Sequence, residues 1–427
     1  WITTPKVTGD SPVTAVSGNG YFLNTTSGTI TVNLPAGSAG DIVSFSDYAA
    51  TWQTYAVTLT PNGTEKIGGT NSNVSLSTEG QSVTLIYVDS VQGWVNTMDS
   101  TSNVRGTSYI TATVSGACNA ITVAPDCANY KVATFKNPGT FCVSVAAGPS
   151  AVADYLIVGA GGGGGADWGG GAGAGGLRAS ATTFTNAGPS SPLTPTCGPT
   201  AVSARSMSVQ GYPIVVGGGG VAGEENPPVA PGVGNVSSFD GVVSAGGGGA
   251  GGSSSPGPNG ADGGSGGGAR VHPAGGTGNT PSVTPPQGNN GGPNPGAPKG
   301  PGGGGGGIAA GQTAPGYGPN GPGTAGVGGA GGGFPSAFGT NGEPCGSYRY
   351  FAGGGGGGTH GPSACAVVGG VGGGGNGAIG PSGAPGVPAN GTANTGGGAG
   401  GAPNCGSPNR DGGTGGSGIV VIRYRFQ

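Results

Sequence analysis

Charge is what this sequence has least of. Only 7% of its 427 residues are charged, the 13 Lys plus Arg are set singly along the chain, and the formal net charge is -3. That leaves no basic patch for nucleic acid and no polybasic anchor for a membrane surface. No stretch approaches the roughly 18 continuous apolar residues of a transmembrane helix, so membrane insertion is not expected. The first residues lack the basic and apolar blocks of a secretory signal. The chain opens on Trp1 rather than Met, as a processed chain or a piece of a longer one would. With 33% hydrophobic residues, a conventional large core is not expected either.

The chemistry-bearing residues are equally sparse. The two histidines, His272 and His360, stand on separate segments without neighbouring Cys or carboxylates, which removes support for a zinc site or a Ser-His-Asp triad. Gly159-Ala160-Gly161-Gly162-Gly163-Gly164 after an apolar strand formally fits a dinucleotide fingerprint. The motif needs a helix, and Ala166-Asp167-Trp168-Gly169-Gly170-Gly171 cannot hold one. Asp262-Gly263-Gly264 and Asp411-Gly412-Gly413 are isolated copies of a calcium-type repeat and read as turns. No enzyme activity, cofactor or metal is expected. Seven cysteines fit no zinc spacing, so structural disulfides are expected, with Cys118–Cys127 and Cys345–Cys365 as the pairings that close short loops. Bridged cysteines would place the protein outside a reducing cytosol.

What the chain does have is glycine, clustered but not periodic. Residues 1–105 hold 11 of the 108 glycines and residues 106–427 hold the other 97. Runs such as Gly161–Gly165, Gly302–Gly307 and Gly353–Gly358 have no side chains to build a core and no Gly-X-Y register for a collagen triple helix. Glycine loses more backbone entropy on folding than any other residue, so ordering these runs requires partners for their amides. In the left-handed polyproline II helix every N–H and C=O points outward, and only glycine lets two such helices touch. The runs therefore predict a slab of packed polyglycine helices. A disordered linker is the competing reading. Against it, strand-length apolar blocks lead into the runs at Tyr155–Val158, Tyr212–Val216 and Val242–Ala245, and a last block, Ile419–Phe426, leaves them.

The expected fold is all-β in two domains. Residues 1–105 alternate as strands do, with Ile30, Val32 and Leu34, Val57 and Leu59, Val74 and Leu76, and Val83, Leu85 and Tyr87 as inward positions. Trp52, Tyr55 and Trp94 are the expected core aromatics. Residues 106–427 form the second domain, with strands over about 109–158, 212–245 and 419–426 as a sheet base for the polyglycine helices.

Several motifs carry a resemblance. Gly20-Tyr21-Phe22-Leu23-Asn24-Thr25-Thr26-Ser27-Gly28, Ala39-Gly40-Asp41-Ile42-Val43, Gly80 to Val88 and Gly93-Trp94 resemble a module of tail fibres and related virion proteins of marine tailed phages. Gly139-Thr140-Phe141 with Val143, Tyr155 to Gly159, Ser237-Ser238-Phe239 and Gly415 to Tyr424 resemble the glycine-rich domain of phage tail proteins. The tip adhesins of T-even-type long tail fibres are similar in architecture only. The resemblance implies a virion or extracellular fibre component, usually a trimer, that joins other tail proteins and binds a host receptor, either a glycan or an outer-membrane protein. The cysteines depart from that pattern and leave open an extracellular structural filament.

The expected recognition residues are the aromatic and charged side chains set between glycine runs: Trp168, Tyr317, Phe334, Phe338, Tyr348, Arg349, Tyr350, Phe351 and His360. A planar ring beside a polar neighbour suits stacking on a sugar face and costs little rotamer entropy to order. The competing role for each ring is to cap the glycine slab.

Overall fold

A computed structural model of the chain describes residues 1–427 apart from 101–108, 147–150, 181–202, 253–258, 271–273, 295–299, 315–323, 360–366, 381–385 and 404–410. The described residues are almost all β, with two single-turn 3-10 segments, at Thr8–Asp10 and Ser336–Phe338, as the helical elements among them. They divide into two compact units, Trp1–Gly106 and Thr107–Gln427.

In the first unit the chain alternates between two sheets. Ile2–Val7, Gly20–Asn24 and Ile42–Asp47 pair in parallel in one, while Val13–Thr14, Ile30–Asn33 and Val57–Thr60 pair in parallel in the other. Each crossover between parallel neighbours is thus a strand of the opposite sheet, and no helix is needed. Antiparallel strands close both sheets, Val74–Leu76 on one and Ser82–Asp89 with Gly93–Ser100 on the other. The alternating positions read from the sequence face inward: Ile30, Val32, Val57, Leu59, Val83 and Leu85 are buried around Trp52 and Trp94. Tyr55 is not among them. It is 41% exposed, beyond the turn that sends Trp52 inward.

The second unit is built on two facing sheets. One has the order Thr111–Val114, Gly139–Val145, Gln210–Val215, Ser237–Phe239, Val242–Ser244. The other has Ala120–Ala124, Cys127–Phe135, Ile419–Arg425, Val152–Val158, Leu177–Ala179, with Arg205–Ser206 also on Val152–Val158. The last strand of the chain is central, pairing with Cys127–Phe135 on one side and Val152–Val158 on the other. Side chains alternate across a strand, so Tyr155, Ile157, Val420, Ile422 and Tyr424 enter the core between the sheets. Leu156, Val158, Ile419 and Val421 enter a second core on the opposite face. A sheet covered on both faces explains why these two strands read as unbroken apolar runs rather than alternating ones.

From that base the glycine runs extend, and their hydrogen bonds repeat every third residue. Gly159, Gly162 and Gly165 donate their amides to Gly176, Gly173 and Gly170 at 3.0, 2.9 and 3.2 Å. Between them, Gly161 and Gly164 donate to Gly416 and Gly413, and Ala160 and Gly163 to Asn235 and Gly232. Three residues per turn, each aimed at a different neighbour, define the polyglycine form of the polyproline II helix. No glycine of Gly159–Gly165 or Gly169–Gly176 has a positive φ, as the left-handed helix requires.

The run Gly169–Gly176 is the centre of this lattice and is buried throughout. It donates to the runs around Gly248, Gly302 and Ala399, and accepts from those around Gly162, Gly268 and Gly355, which gives it six neighbours. A Cβ built on Gly170, Gly171 or Gly173 would strike the backbone of Gly268, Gly355 or Ser265. Methyl groups are accommodated where three runs leave a gap, at Ala172, Ala250 and Ala399, which pack together.

Candidate functional site

The run Gly159–Gly165 has a base end and a far end. Gly159 follows the base strand Val152–Val158, and six residues later the chain turns at Ala166–Trp168 before descending to Leu177–Ala179, back in the base sheet. At the ~3.1 Å rise of the helix, that turn stands roughly 20 Å above the base.

The turn is fixed by an ion pair. Arg270 donates from Nη2 to Asp167 Oδ2 at 2.9 Å and from Nε to the Asp167 carbonyl at 2.8 Å. Asp167 and Trp168 both take left-handed φ values, 46° and 55°, a conformation that costs a non-glycine residue about 1–3 kcal/mol and persists only where the surroundings impose it. The Trp168 amide donates to the Pro403 carbonyl at 3.2 Å. Trp168 itself is half-buried at the far end.

The other expected recognition residues that the structure describes are at the opposite end. Phe334, Phe338 and Phe351 are buried in the second core against Leu156, Val158, Leu177, Ile419 and Val421. Phe334 lies edge-on to Phe338 at 5.9 Å and to Phe351 at 6.1 Å. These three rings do not face a receptor. They seal the lower edge of the slab onto the base sheet, because the base strands present an apolar second face that the glycine runs, lacking side chains, cannot cover.

Tyr348, Arg349 and Tyr350 are half-buried on the strand Tyr348–Phe351. That strand is central in a three-stranded sheet between Gly332–Phe334 and Glu343–Cys345. Alternation turns Phe351 inward and places Tyr348 and Tyr350 together on the other face. The hairpin turns at Gly346, whose φ of 59° a glycine adopts without strain. Glu343 fastens it to the slab, its Oε2 accepting the amides of Gly372 and Gly373, each at 2.6 Å. Trp168 and the tyrosine hairpin are therefore separate features at opposite ends of the unit. Tyr317 and His360 lie outside the described residues.

Cys118 and Cys127 are free thiols, contrary to the pairing expected from their spacing. Cys118 precedes the strand Ala120–Ala124, and Cys127 pairs with Ala124 at that strand's other end. The length of the strand, about 3.3 Å per residue, keeps them well beyond the roughly 7 Å Cα separation a disulfide can span. Cys345 is an exposed free thiol, and Cys365 lies outside the described residues. Among the described residues no group of His, Cys, Asp and Glu is placed to hold a metal ion.

Sequence reasoning missed three polar anchors. Arg270 meets Asp167 across 103 positions, Glu343 reaches the Gly372 turn, and Arg423 pairs with Asp126 beneath the Ser336–Phe338 turn. Arg270 and Glu343 sit in no motif, and Arg423 lies within the closing Gly415 to Tyr424 motif, where the apolar block around it drew the reading. The one available signal was rarity, since a charged residue in a chain with so few must repay its burial.

Base sheets, a six-neighbour polyglycine lattice and the Ala166–Trp168 turn held at its far end define a structural platform built from glycine. The chain belongs to the glycine-rich domain family, which residues 135–425 match. No curated protein matches the chain.

Proposed function

We propose that this protein is a fibre component of a virion, carried on the tail or fibre surface, and that its second unit attaches the particle to a host cell-surface receptor, a glycan or an outer-membrane protein. It works there as a homo-oligomer, a trimer in the reading its resemblance to tail-fibre modules implies, joined to other tail proteins. It binds without catalysis, and no cofactor, nucleic acid or bilayer takes part.

One observation carries the reading. The run Gly159–Gly165 rises from the base sheet and turns at its far end, where Asp167 and Trp168 are held in an otherwise unfavourable conformation by Arg270. A rigid scaffold that spends its hydrogen bonds internally and offers turns at one end is how binding loops are presented in many folds. The half-buried Trp168 ring is the recognition residue there, suited to a sugar face.

The test is location. An antibody fragment raised against the folded Asp167–Trp168 turn should label the free ends of fibres on the particles that carry this chain. Label repeated at intervals along a continuous filament would sink the attachment role and leave an extracellular structural filament. A Trp168→Ala chain of unchanged thermal stability should also lose at least tenfold in binding to the host cells.

A further inference from the structure

The glycine lattice is complete around Gly169–Gly176 and open along Gly217–Gly223. Among the described residues the run Gly217–Gly223 has three neighbouring runs in place of six. Gly220 and Gly223 donate inward to Gly161 and Gly164, both at 2.9 Å. The carbonyls of Gly217, Gly220 and Gly223 accept from Gly418, Gly415 and Gly412. Those of Gly218 and Val221 accept from Asn235 and Gly232. What remains is the amides of Gly218, Gly219, Val221 and Ala222 and the carbonyls of Gly219 and Ala222, which have no partner among the described residues. Gly218 and Val221 are exposed, and Val221 shows 59% of its surface to solvent.

The spacing of these groups selects what can pair with them. They recur every third residue, about 9 Å apart at the rise of the polyproline II helix. A β-strand repeats its ladder groups every second residue, about 7 Å apart, and would fall out of register after one bond. Another polyproline II helix stays in register along the whole edge. It must also lack side chains at the contact, since inside the slab a Cβ on Gly219 would strike the Gly415 carbonyl.

We propose that the edge Gly217–Gly223 is a docking surface for a glycine-rich polyproline II segment of a second copy of this chain. The chain supplies such segments itself, and the hydrogen-bond pattern of the open edge is the one its own runs satisfy inside the slab. The internal contacts also fix the kind of symmetry. Gly159–Gly165 donates to Gly169–Gly176 at three places, and no amide of Gly169–Gly176 donates back. A one-way contact pairs two different surfaces, so copies joined through it form a ring or a filament rather than a two-fold dimer. This holds whether or not the far end binds a receptor.

The experiment is self-association of the full chain by sedimentation velocity, comparing the parent with Gly218→Pro/Val221→Pro. Proline keeps the polyproline II backbone and removes two amides that have no partner within the described chain. A Cβ at Gly218 meets nothing nearer than the Asn235 side-chain nitrogen at 3.7 Å, so the variant is compatible with the fold. The parent is expected to associate reversibly beyond the dimer, and the variant's association constant to fall at least tenfold. A parent that stays monomeric at every concentration, or a folded variant that associates as well as the parent, overturns the proposal. Hydrogen exchange on the parent checks it without any substitution. The amides of Gly218, Gly219, Val221 and Ala222 should exchange at once in dilute protein and become protected as concentration rises; fast exchange at all concentrations overturns it.

Discussion

Gly162 donates its amide to the carbonyl of Gly173 at 2.9 Å, and Gly173 has no room for a side chain. A Cβ on Gly173 would meet the backbone of Ser265 and Gly266, which cannot move aside as a flexible side chain would. Gly173→Ala is therefore expected to destabilise the second unit by about 1–3 kcal/mol, the usual cost of overpacking. Gly218→Ala meets only the Asn235 amide at 3.7 Å and should be neutral or slightly stabilising, since it restricts the unfolded chain. Urea midpoints of the two variants measure the contrast. Equal midpoints would mean that the runs are not close-packed.

The amides differ in the same way as the Cα positions. Gly220→Pro deletes a donor bonded to the Gly161 carbonyl at 2.9 Å, leaves that carbonyl without its partner and forces a ring against Gly232. Leaving a buried acceptor unsatisfied costs about 1–3 kcal/mol before the steric term is added. Gly218→Pro deletes an amide with no acceptor among the described residues and should change stability by less than about 0.5 kcal/mol. Thermal unfolding of the two proline variants separates inward from outward positions of one run, and a large loss for Gly218→Pro would contradict the edge position of Gly217–Gly223.

The base of the second unit was legible because its strands carry side chains. Tyr155–Val158 and Ile419–Arg425 stand out as β-branched and aromatic blocks, and both are central strands. Which glycine run lies beside which was not legible. The lattice is held by backbone groups that are the same at every glycine, and only the packed methyls of Ala172, Ala250 and Ala399 mark a meeting of three runs. One pattern could have been read. Val215, Gly218 and Val221, and likewise Val233 and Val236, are exposed at intervals of three, the period of a polyproline II helix with one face in solvent. Of the expected recognition residues, Phe334 and Phe351 sit in strands whose alternation turns them into the core. A Phe beside a glycine run reads as isolated in a sequence because its packing partners, Leu156 and Ile419, are far along the chain.

Arg423 joins the base to the segment above it, and its loss should be costly. Its side chain is 2% exposed, donates to Asp126 Oδ1 at 2.7 Å, and lies over the Tyr130 ring at 4.1 Å. Across the strand pair it stands directly opposite Asp154, which is fully buried and accepts from the Ser180 hydroxyl at 2.6 Å. Removing the guanidinium would leave Asp126 without the cation it pairs with and open a gap over the Tyr130 ring. Arg423→Ala is expected to cost about 3–5 kcal/mol, as breaking a buried pair does. Arg423→Lys should recover only part of this, because a point charge cannot reproduce the planar fork that stacks on Tyr130. Denaturant unfolding of both variants is the check, and a loss below about 1 kcal/mol for Arg423→Ala would show the pair to be a solvated surface contact.

Tyr424 makes the base sensitive to alkali. Its ring is buried between the sheets, 5.4 Å from Phe141, and burial pushes its hydroxyl from the ordinary value of 10.0 up to about 12. Burial raises Tyr155 as well, partly opposed by Arg178 and Arg205. In the unfolded chain both hydroxyls lose their protons at the ordinary value, so above about pH 10 the unfolded state holds fewer protons than the native one and stability falls with rising pH. The contribution of Tyr424 is complete below about pH 10 and is lost as pH passes through about 12. Two pH units correspond to about 2.7 kcal/mol, an upper figure for this one group. Tyr424→Phe keeps the ring and removes the titration, so its stability should fall less steeply than the parent's across that window, with the residual slope due to Tyr155. Unfolding midpoints measured at intervals from neutral to strongly alkaline pH, with tyrosinate absorbance followed in parallel, decide it. Parent and variant curves that fall together would place the alkaline weakness elsewhere in the molecule.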